Sequence, residues 1–143
     1  MGRMDVHIFG SKEEMGAAAA RFGAGRLRET LAGGGEARLV MASAASQFEV
    51  VAALLEEGDI AWERVSLFHL DEYIGLPASH PASFSRFLDE RFVSKLPGPL
   101  AAFHRIDGEN DPAAECGRVG GLLAGKAPDV AFIGIGENGH IAF

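Results

Sequence analysis

Cysteine is nearly absent: Cys116 is the only one in 143 residues. A lone thiol excludes an intramolecular disulfide and any cysteine-rich zinc site, and it fits a reducing compartment. Cys116 itself reads as a small helix-packing residue. Long apolar runs are also absent. The longest, VAFIGIG and RLVMASAA, fall far short of the ~20 residues that a membrane-spanning helix needs. The opening MGRMDVHIFG lacks the basic, apolar and small-residue succession of a secretory signal. A soluble, cytoplasmic protein with no membrane partner is the expectation. Basic residues are in deficit, 13 Lys and Arg against 20 Asp and Glu, for a formal charge of −7. That balance supplies no basic face for nucleic acid. It does not exclude a small anion, which backbone N–H groups and one or two cations can hold. Ligand spacing such as H-x-x-x-H is missing among His7, His69, His80, His104 and His140, so no metal site is expected. No G-x-S-x-G occurs, so there is no nucleophile elbow.

What is present is a 48% apolar chain of one domain's size, and residues 1–143 are read as a single α/β domain. Five short runs rich in β-branched or aromatic residues have the length of buried strands: 5–9, 37–41, 65–70, 102–106 and 129–135. Helical patterns separate them. Ser11 and Glu14 form a capping box at the head of the first helix, and Gly33 to Gly35 supply its stop. Ser46 and Glu49 repeat the box before QFEVVAALLEEG, and Pro81 fits the first position of a third helix, ASFSRFLDERFVSKL. A fourth covers 112–123, weakened by Gly117, Gly120 and Gly121. Strand–helix alternation of this kind implies right-handed crossovers and an open, mostly parallel sheet with helices on both faces. Ligands of such sheets bind beyond the carboxyl ends of strands, which here are followed by residues 42–46, 71–80 and 136–140.

The stretch LFHLDEYIGLPASHP runs a buried strand into two adjacent carboxylates. On a period-two strand Asp71 shares a face with His69 and Leu67, whereas Glu72 points the other way. Two readings of Asp71 stand side by side. In one, a partly desolvated carboxylate serves as a general base next to a carbonyl; in the other, Asp71 caps its loop through backbone N–H bonds. Ala42, Ser43, Ala44, Ala45 and Ser46 lie between a strand and a helix head, where small residues let backbone N–H groups approach a phosphate. Without the usual glycines, the local pattern favours the plainer reading, a helix cap at Ser46. GIGENGHIAF contains a formal G-x-G-x-x-G. It follows the last strand rather than the first, and no acid follows some 20 residues on, so a dinucleotide turn is the poorer reading. The better one is a tight glycine turn that projects Glu137, Asn138 and His140 toward Asp71, with His140 as a proton shuttle or a surface-turn histidine.

Taken together, FHLDEYIGLPASHPASF and DVAFIGIGENGHIAF, preceded by the turn ASAAS, resemble the glucosamine-6-phosphate deaminase/isomerase family, which is related to the 6-phosphogluconolactonases. The likeness covers essentially all 143 residues. The family's chains run longer, so this chain is expected to be the N-terminal part of a longer domain. The resemblance implies a Rossmann-like, sugar-phosphate isomerase fold and a phosphorylated aminosugar as the partner. It also implies conversion to a ketose phosphate with release of ammonia, without a cofactor. Asp71 matches the aspartate that moves a proton between C1 and C2 of the open-chain sugar. His140 matches the histidine that assists ring opening, with Glu137 and Asn138 completing the catalytic set. Ser43, Ala44, Ala45 and Ser46 match the loop around the phosphate, and Glu72, Gly136 and Gly139 are assigned to the substrate side.

The chain departs from that pattern in three respects. Asn138 stands where deaminases commonly carry aspartate, and asparagine cannot titrate. Ala44 and Ala45 replace glycines in the phosphate turn, which restricts backbone approach. The family's next acid, and the basic residues that neutralise the phosphate, are expected beyond Phe143. Two alternatives therefore accompany the deaminase reading: a sugar-phosphate lactonase, and a catalytically impaired sugar-phosphate-binding protein. Ile141, Ala142 and Phe143, with Tyr73, lean toward the deaminase, since the lactonases tend to continue Gly-His with Thr-Ala-Ser. A homo-oligomer is left open.

Overall fold

A computed structural model describes residues 4–142. The first helix, α1 (Lys12–Ala32), starts where the sequence placed it, with the Ser11 hydroxyl accepting from the Glu14 N–H at 3.1 Å. The return half of the box is displaced by one residue: the Glu14 carboxylate accepts from the Gly10 N–H at 3.0 Å. Its buried stripe is made of Gly16, Ala20, Gly23, Ala24, Leu27 and Leu31, a three-to-four spacing that faces inward. The small residues along it permit close approach. A Cβ on Gly23 would fall 2.3 Å from the Phe132 ring.

The strands are β1 (Ala37–Met41), β2 (Val65–His69), β3 (Ala102–His104) and β4 (Val130–Phe132). All pairings are parallel, in the order β3-β2-β1-β4. Between them lie α2 (Phe48–Leu55), α3 (Phe84–Arg91) and α4 (Pro112–Ala124). Right-handed crossovers put α2 and α3 on one face and carry α4 across the other. The contacts agree. Leu88 of α3 and Phe92 just after it join Leu27, Leu31, Val50, Leu54, Leu39 and Leu67 in one core, with Trp62 edge-on to Phe92 at 5.5 Å. On the opposite face the Arg38 guanidinium donates to the Leu122 carbonyl at 2.9 Å and to the Lys126 carbonyl, and Phe68 stacks on His104 at 4.6 Å. Each fully buried Leu or Phe contributes about 1.5–3 kcal/mol through removal of apolar surface from water. No helix among the described residues is long and apolar enough to cross a membrane.

Four sequence expectations are corrected. Residues 5–9 form no strand; Val6 and Ile8 are 75% and 93% exposed. Alternation selects an extended conformation, but a strand also needs a partner, and residues 5–9 pair with none of the described strands. The strands after 65, 102 and 129 end earlier than expected, at His69, His104 and Phe132, where pairing stops. Ser46 does not cap α2. Residues Ala45–Gln47 tighten into a 3₁₀ turn that places Gln47 before the helix, with no side-chain cap bond. Pro81 lies outside α3, whose cap is Ser83, accepting from the Arg86 N–H at 3.3 Å. In α4, Asp111 caps through the Ala114 N–H at 2.9 Å and Pro112 takes the first turn.

Candidate active site

The chain runs β1, β2, β3 in one direction across the sheet and then lays β4 on the far side of β1. In open parallel sheets such a reversal opens a crevice beyond the carboxyl ends of the strands. A cleft of about 720 Å³ lies there. Three strand exits wall it: residues 42–46 after β1, Leu70, Asp71 and Tyr73 after β2, and residues 134–137 with His140 and Ile141 after β4. Lys12 and Met15 of α1, Glu49 of α2 and Phe84 of α3 complete the wall.

Of the residues singled out from sequence, Asp71, Glu137, His140, Ser43, Ala44, Ala45, Ser46 and Gly136 all line this cleft. Ser43 is 8% exposed, and its hydroxyl has no hydrogen-bond partner among the described residues. A buried hydroxyl without a partner costs free energy. The Ser46 hydroxyl accepts from the Gln47 amide at 3.4 Å. Gln47 is 3% exposed with its amide oxygen unpaired, and sequence reasoning passed over it.

The turn after β4 is built around one ring. Gly136 N–H donates to the His140 carbonyl and Gly139 N–H to the Gly136 carbonyl, each at 2.8 Å, and Gly139 adopts a φ of +84°. A Cβ on Gly136 would sit 2.2 Å from the His140 ring, so only glycine fits beside it. His140 Nδ1 meets the Asn138 amide oxygen. That oxygen can only accept, so Nδ1 is the donor in this contact. Asn138 and Gly139 thus belong to the frame of His140 rather than to the cleft wall.

The two acids after β2 part ways. Asp71, half-buried, faces the cleft. The Glu72 carboxylate is committed to the head of α3, accepting from the N–H groups of Tyr73, Phe84 and Ser85 at 3.0–3.1 Å and from the Ser83 hydroxyl at 2.8 Å. Burial pushes the Glu72 carboxyl up, but the N–H groups of Ser85, Phe84 and Tyr73 and the Ser83 hydroxyl outweigh it and hold it below its ordinary value. Beneath Asp71, His69 Nε2 accepts from the Ile106 N–H at 2.7 Å, which ties the exit of β2 to that of β3. Burial pushes the His69 imidazole down, against the opposing pull of Glu72 and Asp71. The ring is therefore neutral and structural. Among the described residues no cluster of His, Cys, Asp or Glu is placed to hold a metal ion.

Residues 10–142 match the family of glucosamine-6-phosphate isomerases and 6-phosphogluconolactonases. A glucosamine-6-phosphate deaminase of Exiguobacterium sp. is 42% identical over 79 residues, covering 55% of this chain and 31% of the relative. One from Shewanella loihica is 35% identical over 100 residues, covering 68% of this chain and 37% of the relative. Among solved structures, a monomeric glucosamine-6-phosphate deaminase superposes with a TM-score of 0.86 at 26% identity, over 96% of this chain and 58% of the other. A putative 6-phosphogluconolactonase from Neisseria gonorrhoeae gives 0.77 at 26% identity, over 94% and 58%. The matches thus span about a third of the length of these curated relatives.

Proposed function

We infer the activity from one premise: the chain belongs to the glucosamine-6-phosphate isomerase/6-phosphogluconolactonase family, which its residues 10–142 match. The proposed reaction is the deaminating isomerisation of an aminosugar 6-phosphate, with glucosamine 6-phosphate giving fructose 6-phosphate and ammonia. The observation that carries it is the convergence of Asp71, His140 and the turn 43–46 on one cleft at the sheet's switch point.

The chemistry asks for no redox partner. His140 assists ring opening by moving a proton from the anomeric hydroxyl to the ring oxygen. Asp71 takes the proton from C2 and returns it to C1, O1 taking up a proton as the enolamine forms. Water then adds at C2 of the iminium, and ammonia leaves with the ketose. A base held within hydrogen-bonding reach of an acidic C–H gains both from proximity and from proton transfer in the transition state. The turn 43–46 receives the phosphate through backbone N–H groups and the Ser43 hydroxyl.

The test is ammonia release from glucosamine 6-phosphate, followed with deuterium incorporation at C1 of the product in D₂O. Asp71→Asn is expected to lower kcat by about 10²–10⁴-fold with substrate still bound. Undiminished turnover in that variant would remove Asp71 from the role of base. Lactone hydrolysis is the second reading, favoured by the likeness to the Neisseria lactonase fold. Hydrolysis of 6-phosphogluconolactone without ammonia release from the aminosugar would select it.

A further inference from the structure

The segment that carries Asp71 into the cleft borders two cavities. The second, of about 430 Å³, shares Leu70, Asp71 and Tyr73 with the cleft and is otherwise lined in part by Ile106, Gly108 and, from α4, Glu115. A segment beside open space gains little from packing, because its side chains lack contacts there. Two bonds from the exit of β3 hold it instead. Before Asp71, the buried His69 ring, edge-on to Phe103 at 5.8 Å, accepts from the Ile106 N–H at 2.7 Å. After it, the Gly75 N–H donates to the Gly108 carbonyl at 2.6 Å, with Gly75 at a φ of +78°. Gly108 admits no side chain. A Cβ there would lie 2.6 Å from the Leu76 carbonyl oxygen and closer still to that of Tyr73, and both obstacles are backbone. Residues 105–110 are themselves anchored on α4. Glu115 accepts from the Asp107 N–H at 2.8 Å and the Asn110 amide at 3.1 Å, and the Arg118 guanidinium donates to the Arg105 carbonyl at 2.5 Å.

We propose that the loop 105–110 positions Asp71, gripping its segment at His69 before it and Gly75 after it, so that His69 and Gly108 are positioning residues for the base. This rests on the reading of Asp71 as that base. The grip at His69 holds only while the ring is uncharged. The Ile106 N–H can only donate, and a charged imidazole carries a proton on Nε2 as well, which would set two donors against each other at 2.7 Å. Burial keeps the ring uncharged, helped by Arg105 and opposed by Glu72 and by the backbone and carboxylate of Asp71, the groups whose charge acts on it. Its folded value lies below the ordinary 6.5, so the grip is complete above pH 6.5 and is lost as pH falls through that lowered value. Asp71 is thereby disengaged in acid by a ring that takes no part in the chemistry.

The experiment compares the full chain with His69→Ala, His69→Gln and Gly108→Ala. Glutamine is the informative replacement, because its amide oxygen can accept from the Ile106 N–H in place of Nε2 and does not titrate. In ammonia release from glucosamine 6-phosphate, His69→Ala and Gly108→Ala are expected to lower kcat about a hundredfold and to leave KM within about twofold, as a base displaced by about 1 Å does. His69→Gln should recover most of that loss and show a shallower acid-side fall in kcat than the parent. Amide hydrogen exchange reads the grip without turnover. Exchange at both Ile106 and Gly75 should be about tenfold faster in His69→Ala and in Gly108→Ala, while the β1 amides stay protected and show that the variants are folded. Equal kcat in all four proteins overturns the assignment, as does equal damage from alanine and glutamine at position 69. The two readings fail separately. A parent that releases no ammonia overturns the deaminase, and exchange then decides the grip: Gly75 loosened by His69→Ala supports it, and Gly75 indifferent to His69→Ala overturns it.

Discussion

Substituting Gly136 by alanine tests whether the turn after β4 exists to seat His140. The added Cβ would lie 2.2, 2.5 and 2.6 Å from Cε1, Nδ1 and Nε2 of that ring. Ordinary contact begins near 3.4–3.5 Å, so the ring must retreat by about 1 Å or turn aside. A side chain can do so at modest cost. The loss is the contact with Asn138, about 1 kcal/mol, plus about 0.5–1.5 kcal/mol if the ring leaves its rotamer. The expected stability change is therefore about 1–2 kcal/mol in chemical denaturation, with the m-value unchanged. Activity should fall much further. A displacement of 1 Å at a reacting group can cost about 10² in rate, so Gly136→Ala is expected to lose about a hundredfold in kcat/KM. The decisive assay is a double-mutant cycle with His140→Ala. With the ring absent, the new Cβ has room, and Gly136→Ala should then cost about 1 kcal/mol less than it does beside His140. Additive stabilities would refute the packing argument whatever the enzyme does. Full activity in Gly136→Ala would refute the placement of His140 in the chemistry.

Two further substitutions probe the frame. Gly23→Ala places a Cβ 2.3 Å from the Phe132 ring, and the strain should cost about 1–3 kcal/mol by thermal or denaturant unfolding. Phe132→Leu should recover part of it, and independent, additive losses would show that α1 does not press on β4 there. Glu115 is 4% exposed and accepts from Asp107 N–H at 2.8 Å, Asn110 at 3.1 Å and the Arg118 guanidinium. Arg118 beside it, with the Asp107 N–H, holds its carboxyl down at about 2. Its folded value lies below the unfolded one, so its stabilisation is full above about pH 4.5 and is lost as pH falls toward about 2. Glu115→Gln should destabilise by about 1–3 kcal/mol at pH 7, with the gap to the parent closing below pH 3. A gap independent of pH would contradict the charge's role.

The parallel sheet was legible because each paired strand is a short apolar run between capped helices, and parallel topology then follows from connection rules. The failures have local causes. Residues 5–9 carry the strand pattern, but pattern cannot supply a pairing edge. Ser46 meets the capping-box rule as well as Ser11 does, yet a 3₁₀ turn absorbs it, and the choice depends on how β1 delivers the chain. The capping rule also overlooked Ser83, because the Glu72 carboxylate that supports that cap is eleven residues earlier. Gln47 was readable. It stands three, four and seven residues before Val50, Val51 and Leu54, so helical periodicity puts it on the buried stripe with them. Lys12 was readable too. A helix that leads by a short turn into β1 runs antiparallel to it, and its first residue must therefore arrive at the carboxyl end of the sheet.

The tandem Asp71-Glu72 shows why spacing alone left a base and a loop cap on equal terms: a capping carboxylate is present, but on the neighbouring residue. Glu72 takes the capping work, satisfying three N–H groups and a hydroxyl around α3 with a carboxyl held below its ordinary value. Those bonds favour its ionised form, and a carboxylate so committed is a poor proton carrier. The same bonds fix the backbone on the far side of Asp71, while His69, neutral and bound to the Ile106 N–H, fixes the near side. Asp71 is thus clamped on both flanks by groups that do not change protonation in the neutral range. Its side chain faces the cleft that His140 also lines, and the base proposed there gains from so rigid a backbone.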